Sequence, residues 1–309
     1  VDAALHSVDE LGTDRLARLV QRVAAIEAGG DPLLDLGGHR SALLFLEAST
    51  RTVLAFGGAI EALGGSWVRI DPQSSSLSKD ESLRDTLRVL HAQGFDVVVV
   101  RAPWVGTSHV VARFFTGIVV NAGDGAGEHP SQAVQDVCTL ARLRGGRADA
   151  VGALAGLRMA IVGDLAHSRV ARSMGRLSGS LGVEVVGVAP WAWRVDPSAI
   201  GAVDVIDNLD EVLGEVDVLY MLRVQRERLA SGEILDVGEY RRRFQLSARR
   251  LRAARCDVVV MHPGPVNRGV ELDDAVLGSA AMHDGLQYAL GVPTRMAILE
   301  LLAKEAGWS

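Results

Sequence analysis

The chain has 309 residues, with 32 Lys+Arg against 38 Asp+Glu, a formal net charge of -6 and a pI near 5.8. Such an acidic balance argues against a general nucleic-acid binder, which needs a net basic surface, and no run approaches the roughly 18 unbroken apolar residues that would cross a bilayer. Two cysteines, Cys138 and Cys256, give neither a disulfide framework nor a zinc quartet, so no metal and no cofactor is expected. The opening stretch VDAALHSVDELGTDR is acidic and has no apolar h-region, so a cytoplasmic protein is expected. Its start at Val1 rather than Met is read as the trimming of a short leader or tag. The length suggests two domains of roughly 150 residues each.

The first helix is marked by Leu16, Leu19, Val20, Val23 and Ile26 at helical spacing, with Thr13 as its expected cap and Gly29-Gly30 at its end. Apolar runs at Ala42–Leu46, Trp67–Ile70, Asp96–Val100 and Ile118–Asn121 then read as strands. They alternate with helical patterns near 52–64, 81–92, 107–114 and 130–143. The run Val97–Val100 is apolar on both faces, as in a parallel strand covered by helices. The Gly-, Ala- and Arg-rich stretch at 142–156 carries no period and reads as a domain boundary. A second set follows, with strands near 158–162, 183–188, 203–206, 217–221 and 257–261, and a helical tail from about 285 to 306 that Pro293 is expected to kink. This is the rhythm of an α/β fold: two doubly wound parallel-sheet domains joined by helices, over 1–145 and 146–284, with the C-terminal helix at 285–309 returning to the first.

Ser49-Thr50-Arg51-Thr52 follows a strand directly and opens a helix. Free N–H groups at a helix start, three hydroxyls and a guanidinium suit a phosphate. One hydroxyl would read simply as a cap; four consecutive anion-binding residues favour a ligand site. No P-loop pattern occurs. Arg101 follows the strand at 96–100, and ligands of open parallel sheets collect at the carboxyl ends of strands. The alternative is that Arg101 pairs with a surface carboxylate. His129-Pro130-Ser131-Gln132 starts a helix after the glycine-rich NAGDGAGE. The positive end of the helix dipole favours a neutral imidazole there, which can donate to a carbonyl oxygen. The loop at 74–82 is serine-rich, and Ser78 with Glu81 can form a capping box. Lys79 lies in that loop and is, with Lys304, one of only two lysines in the chain.

These stretches together carry a specific resemblance. FLEASTRT at 45–52, SSSLSKDESLRDT at 74–86, VVRAP at 99–103, VNAGDGAGEHPSQAVQD at 120–136, IVGDLAHSRVARS at 161–173, DVLYMLRVQRERL at 217–229 and MHPGPVNRG at 261–269 are similar, in order, to the motifs of the aspartate carbamoyltransferase family. The resemblance implies a carbamoyl-phosphate domain followed by an aspartate domain. It implies transfer of the carbamoyl group of carbamoyl phosphate to L-aspartate in pyrimidine biosynthesis, in a homotrimer whose active sites are shared between neighbours. By the family pattern Ser49, Thr50, Arg51 and Thr52 bind the phosphate, and Arg101 bridges phosphate and carbonyl oxygen. Thr52 and His129 polarise that carbonyl, and Gln132 meets the carbamoyl NH2. Ser76 and Lys79 reach in from the adjacent subunit. Arg169 holds the α-carboxylate of aspartate, Arg223 the β-carboxylate with Gln225 beside it, and the backbone around Pro263 and Gly264 lines the site. A regulatory chain or a dihydroorotase is an implied partner; nucleic acid and membrane are not.

The sequence also departs from the family. Val53 and Gly57 stand where Arg and Glu are common, Asp80 replaces Gly after the loop lysine, and Ala102 replaces His or Ser. The first two either remove one helix-surface ion pair or alter packing behind the phosphate turn. Ser173-Met174-Gly175 matches a motif of the ornithine enzymes at the wrong position and reads as helix packing. Seven arginines between 241 and 255 read as a solvated helix face, Trp191 and Trp193 as packing or rim residues, and both cysteines as structural. Two other functions compete with the leading one. One is a paralogue that carbamoylates another amine; the other is a non-catalytic trimeric partner of dihydroorotase, suggested by PGPVNRG.

Overall fold

The computed structural model of the chain describes residues 3–72, 81–144, 150–225 and 236–308. It divides into two compact units, Val1–Cys138 with Ala289–Ser309, and Thr139–Tyr288. The first unit runs β1 (Ala4–Leu5), α1 (Gly12–Glu27), β2 (Arg40–Phe45), α2 (Thr50–Ala62), β3 (Ser66–Ile70), α3 (Leu83–Ala92), β4 (Val97–Ala102), α4 (Thr107–Ala112) and β5 (Ile118–Asp124) into α5 (Pro130–Arg144). The division falls inside α5 rather than in the glycine-rich stretch after it. The second unit continues with β6 (Arg158–Val162), α6 (Arg169–Ser180), β7 (Glu184–Val188), β8 (Asp204–Ile206), β9 (Val218–Met221), α7 (Val237–Arg243), α8 (Ala248–Ala253), β10 (Val259–Met261), α9 (Asp274–Leu277) and α10 (Asp284–Ala289). Helix α11 (Gly291–Glu305) then packs on α1 and α2 of the first unit.

Each unit holds one five-stranded sheet in which every named strand pair is parallel. The orders are β1-β5-β4-β2-β3 and β10-β9-β6-β7-β8. All seven residues of β5 and all four of β9 are buried, so both faces of the central strands are covered. On one face of the first sheet Ala42, Leu44, Val98, Val100 and Val119 pack with Leu87, Leu90, Val111 and Phe115 of the α3 and α4 region. Helix α11 is fastened to α1 by Arg22, whose guanidinium donates to both carboxylate oxygens of Glu300 at 2.5 and 2.8 Å.

The winding of each sheet reverses once. From β2 the chain steps to β3 on one side and returns to place β4 on the other. From β6 it steps to β7 and β8 on one side, and β9 follows on the other side of β6. A parallel sheet opens a crevice at the carboxyl ends of its strands at such a reversal, because the two connections leave in opposite directions.

Several local expectations are corrected. Strand β1 was not anticipated; its two residues pair only with Val119 and Val120, too short a run to show a period. Thr13 does not cap α1, because the helix starts at Gly12 with Leu11 in the cap position and no capping side chain. The chain instead enters through a 3-10 turn at Val8–Glu10, capped by Ser7. Ser78 lies outside the described residues, and α3 is capped by Ser82, whose hydroxyl accepts from the Asp85 amide at 3.2 Å. Pro293 does not kink the tail. The break falls at Leu290, and Pro293 occupies the first turn of α11, where its missing N–H leaves no helix bond unmade. The arginine-rich stretch is not wholly solvated: Arg250 is buried, grips both oxygens of Asp210 at 2.7 and 2.9 Å and donates to the carbonyls of Arg242 and Gln245. Cys256 is exposed, so it packs nothing, whereas Cys138 is buried. Met174 and Gly175 are buried on α6, and a Cβ on Gly175 would run into the Ile200 carbonyl, in keeping with a packing role.

The departures at 53 and 57 resolve as packing. Both positions are buried, so neither belongs to a solvated helix face. The Trp67 ring lies directly over Gly57, and its indole N–H donates to Glu61 at 2.8 Å. Alanine in place of glycine favours a helix by about 1 kcal/mol, but a Cβ at Gly57 would sit 2.6 Å from Trp67. Overpacking of this kind costs about 1–3 kcal/mol. Gly57→Ala is therefore expected to lower the melting temperature in the native chain and to raise it in a Trp67→Ala background, which paired thermal melts will read. Burial pushes the Cys138 thiol up to about 12. A thiol reagent at pH 8 is expected to titrate Cys256 alone in the folded chain and both thiols in denaturant; reaction at Cys138 without unfolding would contradict its sealed environment.

Candidate active site

In the first unit the expected donor residues gather at the carboxyl ends of three adjacent strands, β2, β4 and β5. Phe45, the last residue of β2, pairs in register with Arg101 of β4, and the Leu46 amide donates to the Arg101 carbonyl at 2.8 Å. Strand β4 is longer than expected, so Arg101 lies within its last pair of residues and is half-buried. Its guanidinium faces Glu47 at 3.5 Å and reaches the Ala122 carbonyl of β5 at 3.4 Å. The expected carboxylate partner is thus Glu47, a half-buried residue of the same strand-end turn as Ser49–Thr52. Ala102 is fully buried beside Asp124, too enclosed for a larger side chain without rearrangement.

Helix α2 starts at Thr50 with Ser49 as its N-cap, yet the Ser49 hydroxyl makes no capping bond. Thr50 and Arg51 are exposed in the first turn, and Thr52 is buried. The turn thus combines first-turn N–H groups, hydroxyls and a guanidinium on the strand edge that carries Arg101. From β5 the chain reaches α5 through a loop fixed by Asp124. That buried carboxylate accepts from the Gly106 amide at 2.7 Å and the Glu128 amide at 2.6 Å. Gly125 has φ 52°, and a Cβ there would meet the Pro103 carbonyl at 2.6 Å, so the close approach requires glycine. His129 is buried at the start of α5, its Nδ1 lying 3.4 Å from the Ser131 hydroxyl. Gln132, one turn on, donates from Nε2 to Asp136 at 3.0 Å.

In the second unit the expected acceptor residues stand at the carboxyl ends of β6, β9 and β10, again three neighbours in one sheet. Arg169 is buried as the first residue of α6, and Ser168 caps that helix by accepting from the Ala171 amide. Arg223 and Gln225 follow β9, both half-buried. Gln225 donates to the His167 carbonyl at 3.1 Å, which joins the segment after β9 to the one after β6. Pro263 and Gly264 follow β10; the Gly264 amide donates to Nδ1 of the buried His262 at 2.8 Å. The site positions Ser76 and Lys79, and the departure Asp80, lie outside the described residues.

Two buried carboxylates fix the backbone here; the sequence marks Asp164 only as part of a strand-then-Gly163-Asp164 turn without the G-x-G-x-x-G of a nucleotide fold, and gives no sign of Glu271. Glu271 accepts from the Val224 amide at 2.6 Å and from both the amide and side chain of Asn267, so it fixes the backbone between Arg223 and Gln225. Burial raises its pKa, against the pull of those donors. Asp164 has no exposed surface and accepts from both the backbone and Nδ1 of His167, the latter at 2.8 Å. Burial raises its pKa too, with His167 opposing. A carboxylate two residues past a strand and three before a histidine is the available signal for this pair. Nearby, Trp193 packs against Tyr240 at 5.9 Å, while Trp191 is exposed beneath the Arg194 guanidinium. The described residues hold no cluster of three or more metal-ligating side chains and no helix long and apolar enough to cross a membrane.

Comparison with known proteins bears on both units. The carbamoyl-P binding domain of aspartate/ornithine carbamoyltransferase matches residues 4–142, and the Asp/Orn binding domain matches residues 155–302. An aspartate carbamoyltransferase catalytic subunit from Rubrobacter xylanophilus is 42% identical over 296 residues, spanning 94% of this chain and 93% of the relative. One from Frankia casuarinae is 42% identical over 313 residues, spanning 99% and 96%. Aspartate transcarbamoylase from Trypanosoma cruzi, solved in complex with N-(phosphonacetyl)-L-aspartic acid, aligns with a TM-score of 0.85 at 30% identity over 96% of this chain and 95% of that one. Ornithine carbamoyltransferase from Gloeobacter violaceus aligns with a TM-score of 0.80 at 26% identity over 97% and 98%. Two domain models in order, and relatives above 40% identity along nearly the whole length, establish that the chain belongs to the aspartate/ornithine carbamoyltransferase family.

Proposed function

We propose that the chain transfers the carbamoyl group of carbamoyl phosphate to the amine of L-aspartate, giving N-carbamoyl-L-aspartate and phosphate, as a step of pyrimidine biosynthesis in the cytoplasm. The observation that carries the choice of acceptor is the pair of guanidinium groups in the second half-site, Arg169 opening α6 and Arg223 following β9. Two fork-shaped cations suit a dicarboxylate, and they would repel the side-chain ammonium of ornithine. The aspartate transcarbamoylase of Trypanosoma cruzi, solved with carbamoyl phosphate and aspartate bound, supports the same assignment.

The chemistry follows from the groups present. The aspartate amine attacks in its uncharged form. The carbonyl oxygen of carbamoyl phosphate gains negative charge, and Arg101, Thr52 and His129 supply donors to it. Each such donor contributes about 100-fold or more in rate. Phosphate departs into the Ser49–Thr52 turn, where the first-turn amides of α2 and the Arg51 guanidinium receive its growing charge. Arg101 must exchange part of its contact with Glu47 for the ligand, and a pair at 3.5 Å is loose enough to permit that. Two anions brought together repel, so a cationic setting is required. Ser76 and Lys79 complete the pocket from a neighbouring subunit of a homotrimer.

PGPVNRG motivates a competing reading, a non-catalytic trimeric partner of dihydroorotase. Its Asn267 is folded inward onto Glu271 and the Val224 carbonyl, which favours a part in the acceptor half-site, while Arg268 remains exposed. The catalytic reading accounts for more of the motif and stands whether or not such a partner binds.

With both substrates saturating, the purified chain is expected to form N-carbamoyl-L-aspartate and to leave ornithine unreacted; no product at high enzyme concentration would sink the assignment. Tight calorimetric binding of N-(phosphonacetyl)-L-aspartic acid is expected in parallel. Lys79→Arg keeps the charge but replaces a compact, rotating ammonium by a planar fork. It is expected to lose about 100-fold in kcat, the scale of a roughly 1 Å misplacement; near-native turnover would remove Lys79 from the site.

A further inference from the structure

The Gln132 side chain is an ambidextrous group: its amide offers an acceptor on one arm and two donors on the other. A carbamoyl NH2 can only donate, because its nitrogen lone pair is delocalised into the carbonyl. Gln132 serves that NH2 only if Oε1 faces it, so something must fix the rotation of the amide.

Asp136 meets that need. It lies one turn further along α5, has no exposed surface, and receives Nε2 of Gln132 at 3.0 Å. An ionised carboxylate accepts and cannot donate, so the amide nitrogen must turn toward it and Oε1 must turn away. A buried carboxylate stays charged only beside a compensating charge, and α11 provides one. Arg295 is fully buried, donates to the Gln135 side chain and to the Gly291 carbonyl, and stands over the Phe56 ring at 5.6 Å. Burial pushes the Arg295 guanidinium down to about 10, and the nearby Asp136 charge acts against that loss. A buried guanidinium of the C-terminal helix thus reaches Gln135, the neighbour of Asp136 in sequence, and Asp136 in turn receives Gln132.

We propose that Asp136 is a positioning residue that locks the Gln132 amide with Oε1 toward the carbamoyl nitrogen and so selects carbamoyl phosphate over acyl phosphates that lack an NH2. The inference rests on the donor half-site being the one described above. Acetyl phosphate is the matching probe, since it replaces the NH2 by a methyl group of similar size and keeps the phosphate. In the native protein carbamoyl phosphate binds in preference to acetyl phosphate. Asp136→Asn, which can present either a donor or an acceptor to Gln132, raises KM for carbamoyl phosphate about tenfold, the scale of one lost hydrogen bond. It leaves the inhibition constant of acetyl phosphate within about twofold. A merely structural role would weaken both esters alike, and that result, or no change in either, overturns the proposal. In a Gln132→Met background the Asp136→Asn change adds no further loss of discrimination; an added loss there also overturns it. A second measurement needs only Gln132→Met as a resonance control and no Asp136 variant, should Asp136→Asn fail to fold. In the 15N spectrum of the native side-chain amides, one Gln132 Nε2 proton exchanges slowly and lies downfield before and after carbamoyl phosphate is added. Exchange as fast as in exposed glutamines overturns the lock. A native protein that saturates with neither ester fails at the earlier step, and the proposal falls with the donor site itself.

Discussion

The molecule depends on what happens where a parallel sheet reverses its winding. Strand ends in such a sheet point their last carbonyl groups and following turns the same way, and at a reversal the two flanking connections leave in opposite directions. The chain makes this reversal once in each unit, between β2 and β4 and between β6 and β9. Everything assigned to substrate chemistry within the described residues follows from it. The hydroxyls proposed for phosphate follow β2, a guanidinium stands one residue before the end of β4, and a histidine follows β5. In the second unit the arginines and the backbone of 263–264 follow β6, β9 and β10. Three neighbouring strand ends thus stand at each proposed half-site, and helix starts add their dipoles.

Holding these short turns in place falls to buried charge more than to apolar packing. Asp124 closes the loop ahead of His129, Glu271 fixes the backbone between Arg223 and Gln225, and Asp164 holds the His167 segment. Away from the site, Arg250 gathers Asp210 and three carbonyl groups. Each of these groups makes several hydrogen bonds, and that is the condition under which a buried ion holds geometry rather than weakening the fold. The abundance of arginine over lysine fits the pattern, because a guanidinium spreads its charge over five donors and can satisfy carbonyls and carboxylates together.

Much of this was legible in the sequence because it is encoded locally. A strand, a turn of hydroxyls and a helix start are neighbours along the chain, so Ser49–Thr52, His129 and Arg169 fell on the expected elements. Arg101 differed only by being drawn into a slightly longer strand. What escaped was decided by distant partners. Nothing near Glu271 in sequence reveals that it meets Val224 and so shapes the turn beside Arg223. Arg250 looked like one of several surface arginines until Asp210 was brought to it. Pro293 promised a kink, but the helix had already broken at Leu290, and a proline in a first turn leaves no bond unmade.

The pairing of Gly57 with Trp67 constrains which side chains α2 tolerates behind the Ser49–Thr52 turn. A large residue at 57 collides with the indole, while a small residue at 67 leaves an open slot beside α2. Either single substitution gives a less stable protein. The two positions are therefore coupled, and a larger residue at 57 is accommodated only when the indole at 67 is removed with it. The helix that opens at Thr50 is thus held to its form by one ring of the neighbouring strand β3.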